Sequence, residues 1–384
     1  MSDSGLRHYY SYLNSAALIL ELYDGQIPFA HFIKNYFSQN KKYGSKDRKQ
    51  IAGLCYSYFR LGKAFLNIPV KERLLLALIH RAEPLSGQWQ QVIEESALPE
   101  TPLQNVFPWK EALSDGIDAS AFEASFAVQP YLFLRIRPGY EKIVAQKLTA
   151  SGLEFTINDH TVTLPNAAKI DDILLINKEV VIQDLNSQKM AAALELVKQY
   201  FPANHRFSIY DCCAASGGKS ILAKDVLQHI SLTVSDIRPT IITNLKKRFE
   251  QAGITDYIAF VTDIAAAKDI RFPQQYDLVI ADVPCTGSGT WARTPEQLYF
   301  FDETKIDAYA NLQQKICTNI INAVKPGGFL LYITCSVFKK ENEEHVKSLE
   351  PYEFSITCES ILEGYNINAD TMYNALLFKK KKFS

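Results

Sequence analysis

From residue 207 onward the chain alternates short apolar runs with longer amphipathic ones, and this alternation constrains the fold more than any other feature. "FSIYD" (207–211) reads as a strand, followed by a glycine turn and the helical stretch "KSILAKDVLQHI". "LTVSD" (232–236) is a second strand, with "TIITNLKKRFEQAG" as its helix, and "YIAFVTD" (257–263) is a third. "YDLVIAD" (276–282) is a fourth, apolar nearly throughout as a strand buried on both faces should be. The helix "IDAYANLQQKICTNIINAV", then Pro326-Gly327-Gly328 and the strand "FLLYITC" follow; "YEFSIT" and "TMYNALLFKKKK" read as two closing strands. Strands alternating with helices predict a parallel sheet with right-handed crossovers, an α/β domain over 186–384.

Upstream the pattern differs. Leu13, Ala17, Leu20, Phe29, Phe32, Ile33 and Tyr36, then Ile51, Leu54, Cys55, Tyr58 and Leu61, recur at helical spacing, which predicts an all-helical domain over 1–125. Its segment "KNYFSQNKKYGSKDRK" sets Lys34, Lys41, Lys42, Lys46, Arg48 and Lys49 against one acid, Asp47. That is either a solvated face or, with Tyr36, Phe37 and Tyr43 interleaved, a nucleic-acid contact. Residues 126–185 then run strand, turn, helix, strand, turn and strand, with Leu132, Leu134 and Ile136 alternating against Phe133 and Arg135: a small α+β domain.

The 384 residues suffice for two or three domains. The net charge of −1 leaves any nucleic-acid site to a local patch such as Lys41–Lys49 or the Lys379–Lys382 run. The seven cysteines form no closely spaced pairs of the zinc type, so no metal is expected. "MSDSGLRHYYSYLN" has no signal-like apolar core, and no run approaches the roughly 18 apolar residues of a membrane span. Reduced thiols in a cytoplasmic chain, with no membrane partner, are the expectation. No heptad or apolar surface stripe speaks to oligomeric state.

In such sheets ligands sit beyond the carboxyl ends of the strands. Read in order, those ends carry Asp211, Asp236, Asp263, Asp282 with Cys285, and Cys335: four acids and two thiols on one rim. Helix capping accounts for any single Asp, but not for the set. The turn "DCCAASGGKS" ends in Gly218-Lys219-Ser220 like a phosphate loop, yet Cys213 stands where a triphosphate cradle wants Gly. Gly217 and Gly218 would let the backbone approach a ligand. Asp236 follows the turn at a spacing, roughly 20 residues or more, at which a carboxylate accepts both hydroxyls of a ribose. Asp263 would then accept from an adenine amino group, or serve as a plain turn residue. A ligand with a ribose and an amino-acid part but no phosphate, S-adenosyl-L-methionine, suits this turn, with Lys219 free to meet its carboxylate or to support chemistry.

At these residues the chain resembles a known family, the RNA cytosine-C5 methyltransferases of the Sun/Nop group. "DCCAASGGKS" resembles its first motif, "ADVPCTGSGTWARTPE" its fourth, "YITCSVFKKENEEHV" its sixth, and "VIQDLNSQKM" (181–190) the segment before its catalytic domain. One residue departs: Ser216 stands where the family has Pro, and the fixed φ is lost. The resemblance implies a Rossmann-like class I methyltransferase domain with a seven-stranded mixed sheet, preceded by a helical RNA-binding domain and the small α+β domain. It implies S-adenosyl-L-methionine held by Cys213, Ala214, Ala215, Ser216, Gly217, Gly218, Lys219, Asp236, Asp263 and Asp282. It also implies RNA as substrate, ribosomal RNA first and transfer RNA second.

The chemistry explains two thiols. Carbon 5 of cytosine is a poor nucleophile; a thiolate adding at carbon 6 makes carbon 5 able to take a methyl group, and cysteine both attacks and leaves well. Spacing alone does not say which cysteine attacks. The resemblance makes Cys335 the nucleophile and Cys285 the helper in product release, with Asp282 on the flipped base. Cys55, Cys317 and Cys358 read as core; Trp291 reads as a nucleotide stacker or a packing anchor. Rivals are a DNA cytosine methyltransferase, opposed by the helical domain and Thr334-Cys335; an ATPase, opposed by Cys213; and a silent RNA-binding scaffold, which needs neither thiol.

Overall fold

The structure, a computed structural model, describes residues 4–82, 84–99, 101–266 and 272–381. They form two compact units. One holds the described residues up to Glu111 with Asp118–Gln129 and Trp291–Glu303; the other holds Ala112–Ile117, Pro130–Thr290 and the described residues from Thr304 on.

The first unit is helical: Ser4–Leu22, Phe29–Gln39, Ser45–Arg60, Val70–Ile79, Gly87–Ser96, Ala119–Ser125 and Pro295–Phe300. Leu13, Ala17, Phe29, Ile33, Ile51, Leu54, Cys55 and Tyr58 are buried together, as their spacing requires. The segment Trp291–Glu303 is held in this unit by aromatic packing. Trp291 is fully buried, 4.7 Å from Phe301 and 6.2 Å from Phe107 between ring centroids, so of its two readings the structure shows the packing anchor. Arg73, also fully buried, sits 4.1 Å from the Tyr58 ring and 4.9 Å from the Tyr299 ring. Lys34, Lys41, Lys42, Lys46 and Lys49 are exposed, while Phe37 between them is buried.

In the second unit a four-stranded antiparallel sheet of order β2-β3-β1-β4 comprises β1 (Leu132–Ile136), β2 (Thr156–Asn158), β3 (Thr161–Leu164) and β4 (Val180–Ile182). The helix Glu141–Ser151 packs Val144 and Leu148 against Leu134, Ile136 and Val162. The strand–helix–strand–strand order read from the sequence is observed; β4 was not anticipated.

The main sheet has seven strands: β5 (Phe207–Asp211), β6 (Ile230–Asp236), β7 (Tyr257–Val261), β8 (Tyr276–Asp282), β9 (Val324–Thr334), β10 (Phe354–Leu362) and β11 (Met372–Lys379). Their order is β10-β11-β9-β8-β5-β6-β7. β5 to β9 run parallel to one another, and β11 runs antiparallel to β9 and β10. Alternation puts Ile209, Leu278, Ile280 and Leu331 on one face, under the helices Gly218–Leu227 and Pro239–Ala252. Tyr210, Val279, Ala281 and Tyr332 fill the other, under Thr304–Ile320. The strand–helix alternation accounts for the parallel part, β5 to β9, and the whole is the Rossmann-like mixed sheet that the resemblance implies.

Three local expectations are corrected. The helix read to Ile230 ends at Leu227, because Gln228 takes a φ of 59° and Ile230 is already paired with Phe207. The strand read from Phe329 begins at Val324, so Pro326-Gly327-Gly328 lies inside β9 as an irregularity where pairing skips from Tyr276–Val324 to Leu278–Phe329. Lys379 is not part of an exposed basic run: it is buried, and its Nζ donates to the carbonyls of Ile321 (2.7 Å) and Val324 (2.9 Å). Lys380 and Lys381 are exposed, and Lys382 lies outside the described residues. Among the described residues no helix is long and apolar enough to cross a membrane, and no three His, Cys, Asp or Glu side chains group as metal ligands.

His345 sits beneath the sheet, stacked on Tyr332 at 4.8 Å and 3.4 Å from the Cys317 sulfur. Burial holds it neutral, lowering its pKa from 6.5 to about 4. The unfolded chain therefore takes up this proton first, and stability present above pH 6.5 drains away as the pH falls toward 4. Denaturant titrations at stepped pH should show wild type losing on the order of 3 kcal/mol more than His345→Phe across that window. Parallel curves for the two proteins would contradict this.

Candidate active site

The site grows from the turn between β5 and the helix Gly218–Leu227. β5 is buried throughout, so Asp211 at its end is too. Its carboxylate accepts from Ser220 Oγ at 2.6 Å, which fixes the start of the helix. Burial, aided by the charges of Asp282 and Asp236, pushes the Asp211 carboxyl up to about 7 against the pull of Ser220 and Lys219. Asp211 is thus no rim acid: it lies under the turn.

Gly217 has a φ of 85°, and a Cβ there would stand 2.6 Å from Phe249 Cε1. Its glycine is demanded by backbone conformation and packing, and Gly217 lines neither cavity described below. Gly218 has open space around its Cα. Ser216, where the proline of the family motif is missing, is tied down another way: Arg248 Nη1 donates to its carbonyl at 2.9 Å and to its Oγ at 2.5 Å.

Two cavities open beside this turn. The larger, about 450 Å³, is lined by Cys213, Ala215, Asp236, Ile237, Asp263 and Asp282 among others. The smaller, about 310 Å³, is lined by Ala214, Ser216, Gly218, Lys219, Asp282 and Cys335 among others. Cys213, Ala215 and Asp282 border both. Asp236 accepts four bonds, from Ala215 N–H (3.1 Å), Arg238 N–H (2.9 Å), Arg238 Nε (2.9 Å) and Arg238 Nη2 (3.0 Å). Although burial pushes its carboxyl up, Arg238 holds it below the usual carboxylate range. Asp263 accepts from Ala265 N–H and Ala266 N–H, the turn role, while also lining the larger cavity. Lys219 Nζ donates to Asp282 Oδ2 at 3.0 Å.

The two thiols meet. β8 and β9 are parallel neighbours, and the loops that follow them bring Cys285 Sγ to 3.3 Å from Cys335 Sγ, both half-buried and unoxidised. The Cys335 sulfur, burial and the Glu341 carboxylate push the Cys285 thiol well up. Gly289 N–H donates to the Cys335 carbonyl at 2.8 Å, and a Cβ on Gly289 would fall 1.9 Å from the Thr371 oxygen. Sequence reading missed Gly289, Arg238, Ile237 and Glu341. Glu341 lies within the "TCS…ENE" stretch, but only the fold reveals that it is buried.

Residues 191–356 match the family described as 16S rRNA methyltransferase RsmB/F. The ribosomal RNA small subunit methyltransferase B of Xylella fastidiosa (strain 9a5c) is 28% identical over 237 residues, covering 59% of this chain and 53% of that protein. The probable ribosomal RNA small subunit methyltransferase B of Bacillus subtilis (strain 168) is 31% identical over 169 residues, covering 44% and 36%. The chain spans about half the length of the first of these relatives. The solved structure of PH0851 superposes with a TM-score of 0.70 at 18% identity, covering 98% of this chain and 99% of that one. NSun6 from Pyrococcus horikoshii superposes with a TM-score of 0.58 at 14% identity, covering 69% and 94%. At those identities the structures speak for the fold alone.

Three glycine substitutions separate the positions where packing demands glycine from the one where it does not. Gly217→Ala should cost about 2 kcal/mol and Gly289→Ala about 3 kcal/mol or more, while Gly218→Ala costs under about 1 kcal/mol. Urea unfolding of the three variants checks this ranking. The matched pattern, the sheet order and the paired thiols at its rim converge on one conclusion: over residues 191–356 the chain is similar to the RsmB/F methyltransferases and has a Rossmann-like methyltransferase fold.

Proposed function

We propose that this chain transfers a methyl group from S-adenosyl-L-methionine to carbon 5 of a cytosine in RNA, ribosomal RNA being the substrate class, through a covalent adduct on Cys335. The observation that carries the reading is the 3.3 Å approach of the Cys285 sulfur to that of Cys335, which lines a cavity together with Lys219 and Asp282.

The larger cavity suits the cofactor's adenosine. Its volume of about 450 Å³ lies within the range of small-molecule sites. Asp236 offers a carboxylate for the ribose hydroxyls once the half-exposed Arg238 side chain yields two of its four acceptor positions. Ile237 offers an apolar face and Asp263 an acceptor. S-adenosyl-L-methionine supplies the methyl group, as an electrophile on a sulfonium, that carbon 5 receives.

The smaller cavity suits the flipped base. Cys335 Sγ adds as thiolate at carbon 6; the C–S bond forms and the carbon 5–carbon 6 π pair moves onto carbon 5. Asp282, oriented by Lys219, hydrogen-bonds the amine or ring nitrogen of the base. After methylation carbon 5 gives up its proton to water, that C–H pair rebuilds the double bond, and the thiolate leaves carbon 6. Cys285, held as a thiol against Cys335, assists this release. The exposed Lys41–Lys49 face supplies phosphate contacts that position the RNA without reading its sequence.

Labelled S-adenosyl-L-methionine with RNA tests the assignment. Cys335→Ala should bring transfer to background while the cofactor still binds; Cys285→Ala should accumulate a protein–RNA adduct that survives denaturant. Activity retained in Cys335→Ala would refute the nucleophile, and bisulfite sequencing of RNA with and without the chain identifies the base.

A further inference from the structure

Glu341 is fully buried, and its carboxylate accepts four hydrogen bonds from neutral donors. Oε1 takes Thr286 Oγ1 at 2.6 Å and Ser336 Oγ at 2.5 Å; Oε2 takes Thr286 N–H and Gln313 Nε2, each at 2.9 Å. Thr286 follows Cys285 in sequence, and Ser336 follows Cys335. Gln313 also donates to the Pro284 carbonyl at 3.0 Å, so Cys285 is held from both sides. The backbone of Glu341 is itself anchored, since Tyr332 Oη donates to its carbonyl at 2.7 Å. One carboxylate therefore ties together the two loops that bear the thiols.

A buried charge without a cation is costly, and apolar packing would serve stability better. Four donors compensate it here, all drawn from the loops and the helix around the thiols. We propose that Glu341 is a positioning residue of the thiol site, its carboxylate locking Thr286 and Ser336 so that Cys285 presents its S–H to the Cys335 sulfur. The inference rests on the reading that Cys335 attacks and Cys285 assists. The Cys335 sulfur and burial hold Cys285 as a thiol, and the negative charge of Glu341 adds to both, leaving Cys335 as the sulfur free to act. The titratable groups facing Cys285 are Cys335, Glu341, Tyr309 and Tyr332. Of these only Glu341 is a carboxyl group; burial pushes its pKa up, while Ser336, Thr286 and Gln313 favour its charged form.

The test uses the full chain, with iodoacetamide alkylation followed at each cysteine by mass spectrometry across pH, alongside steady-state methyl transfer to RNA. Glu341→Gln should move the midpoint of Cys285 alkylation to lower pH and cut kcat about 100-fold, with KM for RNA and cofactor affinity unchanged. Thr286→Val should cut kcat in the same direction, and Thr286→Ser should restore most of that loss. If Glu341→Gln does not fold, the Thr286 pair decides the matter. An unmoved Cys285 midpoint in folded Glu341→Gln, or a Thr286→Val protein with wild-type kcat, overturns the inference. If wild type transfers no methyl group to RNA, the functional reading fails instead, and the alkylation midpoints still decide whether Glu341 governs Cys285.

Discussion

The pairing of β8 with β9 is the constraint on which the rest depends. Asp282 stands opposite Ile333 in the parallel ladder, so the chain leaves both strands at the same height. Val283 N–H continues the ladder to the Ile333 carbonyl at 3.1 Å, and Gly289 N–H reaches back to the Cys335 carbonyl at 2.8 Å. Two side chains 50 positions apart are thereby delivered to one point by main-chain hydrogen bonds. Flexible loops alone would have to meet a large ordering cost to achieve the same encounter. On the other side of β8, β5 is bonded in parallel and ends in the turn that borders both cavities.

Four aspartates of one sequence pattern end up in four electrostatic situations. Asp211 is sealed under its turn, where the neutral form is favoured. Asp236 is clasped by Arg238 and held in its charged form. Asp282 is paired with Lys219 between the two cavities. Asp263 caps a turn. Residue type and spacing are shared by all four; burial and partner decide what each can do.

That difference marks how far the sequence could be read. The seven strands, their alternating faces and the gathering of acids and thiols at one rim follow from periodicity and from the rule that ligands sit at strand ends. The Trp291 ring, the inward turn of Lys379 and the depth of Asp211 do not follow, because each depends on partners distant in sequence: Phe107, Ile321 and Ser220. Gly217 was legible as a turn glycine, but the ring of Phe249, which makes it obligatory, comes from another helix. Glu341 looks like one of several solvated acids in "KKENEEH"; only the convergence of Thr286, Ser336 and Gln313 reveals a buried charge.

The excursion of Trp291–Glu303 into the helical unit has a consequence for how the molecule comes apart. The chain leaves the sheet-bearing unit just after the loop of Cys285 and returns at Thr304, so no single cut in the polypeptide separates the two units. Stripping away the leading helices would leave Trp291, Leu298 and Phe301 as an uncovered apolar segment, spliced into the chain between the loop of Cys285 and the helix Thr304–Ile320. The covalent topology thus ties order in the loop that follows Cys285 to the integrity of the helical unit in which its continuation is packed.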